Sequence, residues 1–219
     1  MKIGGPVIAV DGPAAAGKGT LARQLAEVLK LPYLDTGLLY RAVTWKVLEA
    51  GSKPTDPAET FARALTIEDT RRSGLRSPEV TQAVSNVAAQ PAVRKALVDI
   101  QRHFASTHGG VLDGRDIGTV IFPEADVKFF ITASLPTRAL RRFLQMGGDM
   151  TASDASEKLH IIEDSLKNRD HIDTNRENAP LCQAHDAYVI ETDAMDAASV
   201  LSEALRIVRE RLNTCQKVT

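Results

Sequence analysis

A short apolar run, Val7-Ile8-Ala9-Val10, leads directly towards Gly12-Pro13-Ala14-Ala15-Ala16-Gly17-Lys18-Gly19-Thr20, and an amphipathic helical pattern follows at once. That order of strand, glycine-bounded loop and helix restricts the chain to folds in which a phosphate cradle joins a buried strand to a helix N-terminus. Glycines at the two ends let the backbone curl so that successive N–H groups point inward, and the helix adds the positive end of its dipole. Lys18 would reach the β- and γ-phosphates of a nucleotide held there. A glycine-rich turn without a ligand is the plain alternative, and a lysine in register with both strand and helix argues against it. The hydroxyl that usually follows such a lysine is displaced: Gly19 stands in its place and Thr20 comes one position later. The Mg²⁺ expected with the phosphates would then be held by phosphate oxygens and water, with carboxylates acting through that water.

Beyond the loop, strands and helices alternate. Leu21, Leu25, Val28 and Leu29 recur at helical spacing until Pro32, and Tyr33-Leu34 reads as a short second strand ending at Asp35. A second helix carries Tyr40, Val43, Val47 and Leu48, ends at Gly51, and gives way to the turn-rich Ser52-Lys53-Pro54-Thr55-Asp56-Pro57. A short helix around Phe61 to Leu65 is expected next, then a loop containing Arg71, Arg72 and Arg76. Ser77-Pro78-Glu79 starts another helix, with Ser77 as cap, and Pro91 starts one that runs to about Ala105. Val111-Leu112-Asp113, Val127-Lys128-Phe129-Phe130-Ile131-Thr132 and Tyr188-Val189-Ile190-Glu191 read as buried strands. A final helix, capped by Asp196, carries Val200, Leu201, Ala204, Leu205, Val208 and Leu212 on one face. The alternation predicts an α/β fold around a parallel sheet, as one domain over residues 1–219.

Composition narrows the partners. With 27 Lys and Arg against 28 Asp and Glu, no broad basic surface is available for nucleic acid, so a bound anion must be met by local arginines. Cys182 and Cys215 match no metal spacing and offer no disulfide framework. His103, His108, His160, His171 and His185 likewise show no paired metal spacing. No apolar run approaches the roughly 18 residues of a membrane span, and Met1-Lys2-Ile3-Gly4-Gly5 leads straight into the first strand. A cytoplasmic protein without a membrane partner is expected.

Four segments, taken in order, carry a resemblance. The phosphate loop, Asp35-Thr36-Gly37-Leu38-Leu39-Tyr40-Arg41, Asp113-Gly114-Arg115-Asp116-Ile117-Gly118-Thr119 and Arg169-Asp170-His171-Ile172-Asp173-Thr174-Asn175-Arg176 together resemble bacterial cytidylate kinases over nearly the whole chain. The resemblance implies transfer of the γ-phosphoryl group of ATP to CMP or dCMP, by a monomer with a three-layer P-loop kinase fold and a five-stranded parallel sheet. It implies a CMP-binding insert over 52–107 and a small helical lid over 147–176. Residues 52–84 are too short for the antiparallel sheet of the family's longer insert, so a reduced, mainly helical version is expected. The loop Gly12 to Thr20 with Arg138 and Arg142 would bind ATP. Thr36, Tyr40, Arg41, Ser85, Arg94, Arg115, Asp116, Arg169 and Asp173 would bind CMP, with Arg115 on its phosphate and Asp116 on the cytosine. Lys18, Arg115, Arg169 and Arg176 would act on the transferring group, with Asp35 and Asp113 near the metal. Ile172 and Thr174 stand where relatives are often basic, so this lid brings fewer charges.

Each of these residues also has an ordinary structural use. Tyr40 could belong to the apolar face of its helix, Asp35 could cap that helix, and Asp113-Gly114 could be a plain turn. Arg115 and Asp116 could form a surface pair, although adjacent side chains seldom pair well. Arg138, Arg141 and Arg142 could be an exposed charged face. Competing functions are a P-loop kinase for another small acceptor, such as UMP or shikimate, and a nucleotide-dependent switch. The second set of anion-binding residues disfavours the switch.

Overall fold

The computed structural model describes residues 4–216. Met1-Lys2-Ile3 and the side chain of Cys215 lie outside the described residues. Five strands form one parallel sheet: β1 (Val7–Asp11), β2 (Tyr33–Asp35), β3 (Gly110–Asp113), β4 (Val127–Thr132) and β5 (Tyr188–Glu191), in the order β2-β3-β1-β4-β5. Alternation along the strands divides the core between the two faces, since successive side chains point opposite ways. Ala9 and Leu112 face one cluster with Leu34, Leu39, Val43 and Leu97. Ile8, Val10 and Val111 face the other with Leu21, Leu25, Phe129 and Val208.

The second cluster is covered by α1 (Lys18–Leu29) and α8 (Ala197–Gln216). Helix α1 ends where Lys30 turns left-handed, at φ 54°, ahead of Pro32. Asp196 caps α8 by accepting the Ser199 N–H at 2.8 Å. The first cluster is covered by α2 (Thr36–Glu49), α3 (Glu59–Arg63), α4 (Pro78–Ala88) and α5 (Pro91–Ser106). Ser77 caps α4 as its sequence predicts, accepting the Val80 N–H at 3.3 Å. A 3₁₀ turn, Ile67–Arg71, lies between α3 and α4, and among the described residues no strand lies between β2 and β3. The reduced helical insert is therefore the observed one. The remaining helices are α6 (Leu135–Gln145) and α7 (Ala155–Asn175). They hold a third apolar cluster, in which Leu166 of α7 and Ala139 of α6 pack on Ala14 of the phosphate loop.

Register brings three carboxylates to one end of the sheet. Asp35 lies opposite Asp113, Val10 lies opposite Asp113 from the other side, and Asp11 is the next residue of β1. Ligands of parallel α/β sheets bind beyond the carboxyl ends of the strands, so these acids mark the site.

Two readings need correction. β5 is not a buried strand: it pairs with β4 alone at the sheet edge, and Tyr188 and Val189 remain 37% and 45% exposed. Val28, placed by spacing on the inner face of α1, is 50% exposed. The segment after Asp116 forms a π-type turn, Ile117–Ile121, in which the Ile121 N–H reaches the Asp116 carbonyl at 3.1 Å.

Candidate active site

The phosphate loop owes its shape to backbone and borrowed side chains together. Ala15 and Gly17 take left-handed conformations, φ 61° and 97°, and Gly17 caps α1 without a side chain, so the first turn of the helix is open to an anion. Loop carbonyls are turned outward and held: Pro13 accepts from Lys18 Nζ at 2.7 Å, Ala14 from Arg138 Nη1 at 3.2 Å, and Ala16 from Thr192 Oγ1 at 3.2 Å.

Lys18 is 6% exposed, and burial followed by repulsion from Arg115 lowers its ammonium to about 7. Asp113 shows the reverse: burial and its neighbour Asp35 raise the carboxyl to about 7, and Tyr33 donates its hydroxyl to Oδ2 at 3.3 Å. A Cβ on Gly19 would stand 3.0 Å from Asp113 Oδ2, which explains the displaced hydroxyl: the carboxylate occupies the space beside the lysine's successor. Asp35 does not cap α2; it pairs with Arg76 Nη2 at 2.6 Å. Among the described residues no group of three or more His, Cys, Asp or Glu side chains could hold a metal by itself. Adjacent Asp35 and Asp113, one with a raised carboxyl, fit a cation that arrives with phosphates.

The residues expected to bind CMP lie on α2, α4, α5, α7 and the turn after β3. Thr36 Oγ1 donates to the Asp113 carbonyl at 2.7 Å, which fixes the start of α2 on β3. Arg41 is buried, with Nη1 donating to Leu75 O at 3.1 Å and Thr81 Oγ1 at 2.9 Å. Tyr40 belongs to the core and also lies under the Arg94 guanidinium, 5.4 Å from its ring centroid, so its two readings are compatible. Arg94 Nη2 donates to Asp116 Oδ2 at 2.5 Å. Burial alone would lower Arg94, but Tyr40 and Asp116 hold it above its ordinary value. Ser85 sits half-buried on α4.

Arg115 and Asp116 do not pair with each other. Arg115 Nε donates to Asp173 Oδ2 of α7 at 2.8 Å, and Arg176 Nη2 lies 3.6 Å from Asp116 Oδ1. Arg176 also approaches Asp173, at 3.6 Å, so the turn and the end of α7 exchange charges both ways. Arg138, far from being an exposed surface cation, is 6% exposed and pairs with Asp170 at 2.6 Å. Arg141 holds Thr192 Oγ1 at 2.7 Å, while Arg142 donates to Gln145 at 3.2 Å. Arg169 Nε is enclosed with no hydrogen-bond partner among the described residues. Burial, then Arg115, Arg41 and Arg142, lower Arg169 to about 10; burial, then Arg76, Arg142 and Arg115, lower Arg41 to about 10. These cations crowd one another, a state that an anionic ligand relieves.

Beside the loop lies a cavity of about 280 Å³ lined by Gly17, Thr20, Gln24, Arg141, Met195 and Ala197, among others. A larger groove of about 680 Å³ lies elsewhere, between the 3₁₀ turn and α5, and contains none of the site residues. All five histidines are exposed.

Sequence reasoning overlooked several participants. Asp170 lies inside a quoted motif, and Thr81 and Tyr33 could be found only from three-dimensional neighbours. Asp11 had a visible signal, an acid closing an apolar strand immediately before the phosphate loop. It is 4% exposed and accepts the N–H groups of Ile117 at 2.9 Å and Gly118 at 2.7 Å.

Comparison with known proteins agrees with this geometry. A family model described as cytidylate kinase matches residues 8–210. The cytidylate kinase of Acidiphilium cryptum (strain JF-5) is 52% identical, with 94% of this chain and 96% of that protein covered. The cytidylate kinase of Granulibacter bethesdensis is 50% identical, with 94% and 97% covered. Among solved structures, an uncharacterized protein from Eubacterium ventriosum shares the fold, with a TM-score of 0.52 at 13% identity and 93% and 98% covered. With a match that runs from the first strand into the last helix, the chain belongs to the cytidylate kinase family.

Proposed function

We propose that the protein transfers the γ-phosphoryl group of ATP to CMP and dCMP, giving CDP or dCDP and ADP. The observation that carries this reading is the presence of two anion centres: the loop with Lys18, and the mutually repelling Arg41, Arg115 and Arg169. In the reaction an oxygen of the acceptor phosphate forms a bond to the γ-phosphorus as the bond to the β-γ bridging oxygen breaks, and ADP leaves. An acceptor phosphate carries no proton that must be removed, so positioning and charge neutralisation supply the catalysis. Lys18 and the loop N–H groups hold the donor phosphates, Arg115 and Arg41 hold the acceptor phosphate, and Arg169 and Arg176 meet the group in transfer. Asp113 and Asp35 would hold Mg²⁺ through its water, and the ion would supply neutralisation of phosphate charge.

The paired Asp116 and Arg94 suit cytosine. Cytosine offers an amino donor at C4 beside acceptors at N3 and O2, and a carboxylate next to a guanidinium offers the complementary acceptor and donors. Uracil reverses the polarity at C4 and N3. Residues 52–107 form the acceptor side and 147–176 act as a lid, within a single domain over 1–219. A monomer is the proposed working unit. No described helix is long and apolar enough to cross a membrane, and we place the enzyme in the cytoplasm. An ADP-release assay with CMP, dCMP, UMP, AMP and shikimate tests the reading: CMP and dCMP should be turned over much faster than the others, and a preference for AMP or shikimate overturns it.

A further inference from the structure

Asp11 is a buried carboxylate whose hydrogen bonds all come from main-chain N–H groups, those of Ile117 and Gly118. The nearby lysine, Lys128, does not serve it, because Lys128 Nζ is drawn away to Pro123 O and to Asp186 Oδ1 at 2.9 Å. No ion pair offsets the burial of Asp11, although the charge of Lys18 acts on it, and burying a carboxylate is costly, so such a residue needs a reason. Its place in the chain supplies one. Asp11 ends β1 and immediately precedes the phosphate loop, while the two amides it holds follow Arg115 and Asp116. One side chain thus ties the root of the donor loop to the far end of the acceptor turn.

The two sides of this tie are unequally supported. The donor loop has its own anchors at Pro13, Ala14 and Ala16, supplied by Lys18, Arg138 and Thr192. The acceptor turn is fixed before Arg115, through Gly114 N–H to Val10 O at 3.0 Å and Thr36 to the Asp113 carbonyl at 2.7 Å. After Asp116 its hydrogen bonds to the sheet come from Asp11, while Ile117 and Ile121 pack on Ala9 and Leu112 and Arg102 of α5 holds Ile121 O and Val120 O. Gly118 lets that approach happen: a Cβ there would stand 3.0 Å from Lys128 Cδ and 3.4 Å from Asp11 Oδ2.

We propose that Asp11 is a positioning residue for the acceptor, which holds Arg115 and Asp116 at the correct distance from the phosphate loop without touching either substrate. The inference rests on the reading of Arg115 and Asp116 as the CMP-binding pair. Loosening the tie should move the acceptor residues and leave the separately anchored donor loop in place. An asparagine offers one acceptor oxygen and turns an N–H₂ against the second amide, so Asp11→Asn keeps one bond and loses the other.

Steady-state kinetics of purified Asp11→Asn and Gly118→Ala, with ATP and with CMP or UMP as acceptor, test the proposal. Both variants should raise the KM for CMP about 10-fold or more, change the KM for ATP by less than about threefold, and narrow the CMP:UMP ratio of kcat/KM. Gly118→Ala presses a Cβ against Lys128 Cδ beside the same amides with Asp11 intact, and it decides the matter alone if Asp11→Asn does not fold. A fall in kcat with both KM values unchanged, or an equal rise in both, overturns the proposal and leaves Asp11 a stability residue. Asp116→Asn, measured alongside, separates the two layers. If its CMP:UMP ratio equals that of the unaltered protein, the base-reading assignment fails; if that ratio narrows while the Asp11 and Gly118 variants keep a normal KM for CMP, the Asp11 inference fails alone.

Discussion

Arg115 Nε and Asp173 Oδ2 meet at 2.8 Å across 58 residues of sequence, joining the turn after β3 to the last part of α7. Burial alone would lower Arg115 and raise Asp173, yet each is driven the other way by its partner together with other charges, Asp113 and Asp170 for Arg115, Arg169 and Arg176 for Asp173. The pair therefore holds both charges in a place that water scarcely reaches, and it aims the guanidinium that would receive the acceptor phosphate. Removing one partner of such a charge-assisted bond costs about 1.5–3 kcal/mol. Asp173→Asn should reduce kcat/KM for CMP roughly 10- to 150-fold. Hydrogen exchange over 155–176 should also become faster in this variant, and unchanged exchange would show that the pair does not secure α7.

Lys18 is held at a point where its charge is disfavoured, by burial and by Arg115, until phosphate arrives. Lys18→Ala should lower turnover by about three powers of ten or more, since the charge acts on the transferring group. Its melting temperature should be unchanged or slightly higher, because a strained buried cation is gone. CMP affinity measured by calorimetry should move little. Near-normal turnover in the purified variant contradicts the donor-loop assignment.

Asp113 should have opposite effects on stability and on activity. Its carboxyl is raised to about 7 from an ordinary value of 3.8, so between those values the folded protein keeps a proton that the unfolded chain has lost. The group favours the folded state most at the acid end of that window, its contribution falls as pH rises, and the penalty is complete above about 7. Asp113→Asn removes the penalty. The melting-temperature advantage of the variant should widen from about pH 5 to about 7 and level off above, reaching several degrees, while turnover falls at least 100-fold. An advantage independent of pH would contradict the environment assigned to this carboxyl.

Asp116 is an acceptor at both oxygens, one already engaged by Arg94. Asp116→Asn can rotate its amide to present either an oxygen or an N–H₂ group to the base. It should weaken CMP use and narrow the CMP:UMP ratio of kcat/KM, which the ionised acid sets through an unpaired-acceptor penalty of about 1–3 kcal/mol against uracil. Equal losses on CMP and UMP would reduce Asp116 to a partner for Arg94 and Arg176.

Much of the fold was legible because its signals are local. The run Val7 to Val10, the loop to Thr20 and the caps at Ser77 and Asp196 each depend on neighbours within a few residues, and the structure places them as read. What could not be read depends on distant partners. Nothing near Arg115 announces Asp173, and nothing near Asp116 announces the π-type turn, which is held by an acid more than a hundred residues earlier. The exposed face of β5 was misread for a related reason. An apolar run reports that a strand can be buried, whereas its position at the sheet edge decides how far it is.

Arg138 holds the Ala14 carbonyl with Nη1 and Asp170 with Nη2, at 3.2 and 2.6 Å. A single rigid guanidinium plane is thus hinged to the phosphate loop on one side and to α7 on the other. Nε is fixed to the Ala133 carbonyl at 3.0 Å, so a swing of α7 either breaks the ion pair or strains the plane that also holds the loop carbonyl. Seating of α7 and tautness of the donor cradle would rise and fall together, and grip on ATP would be set in part by a helix that never touches the cradle's own backbone hydrogen bonds.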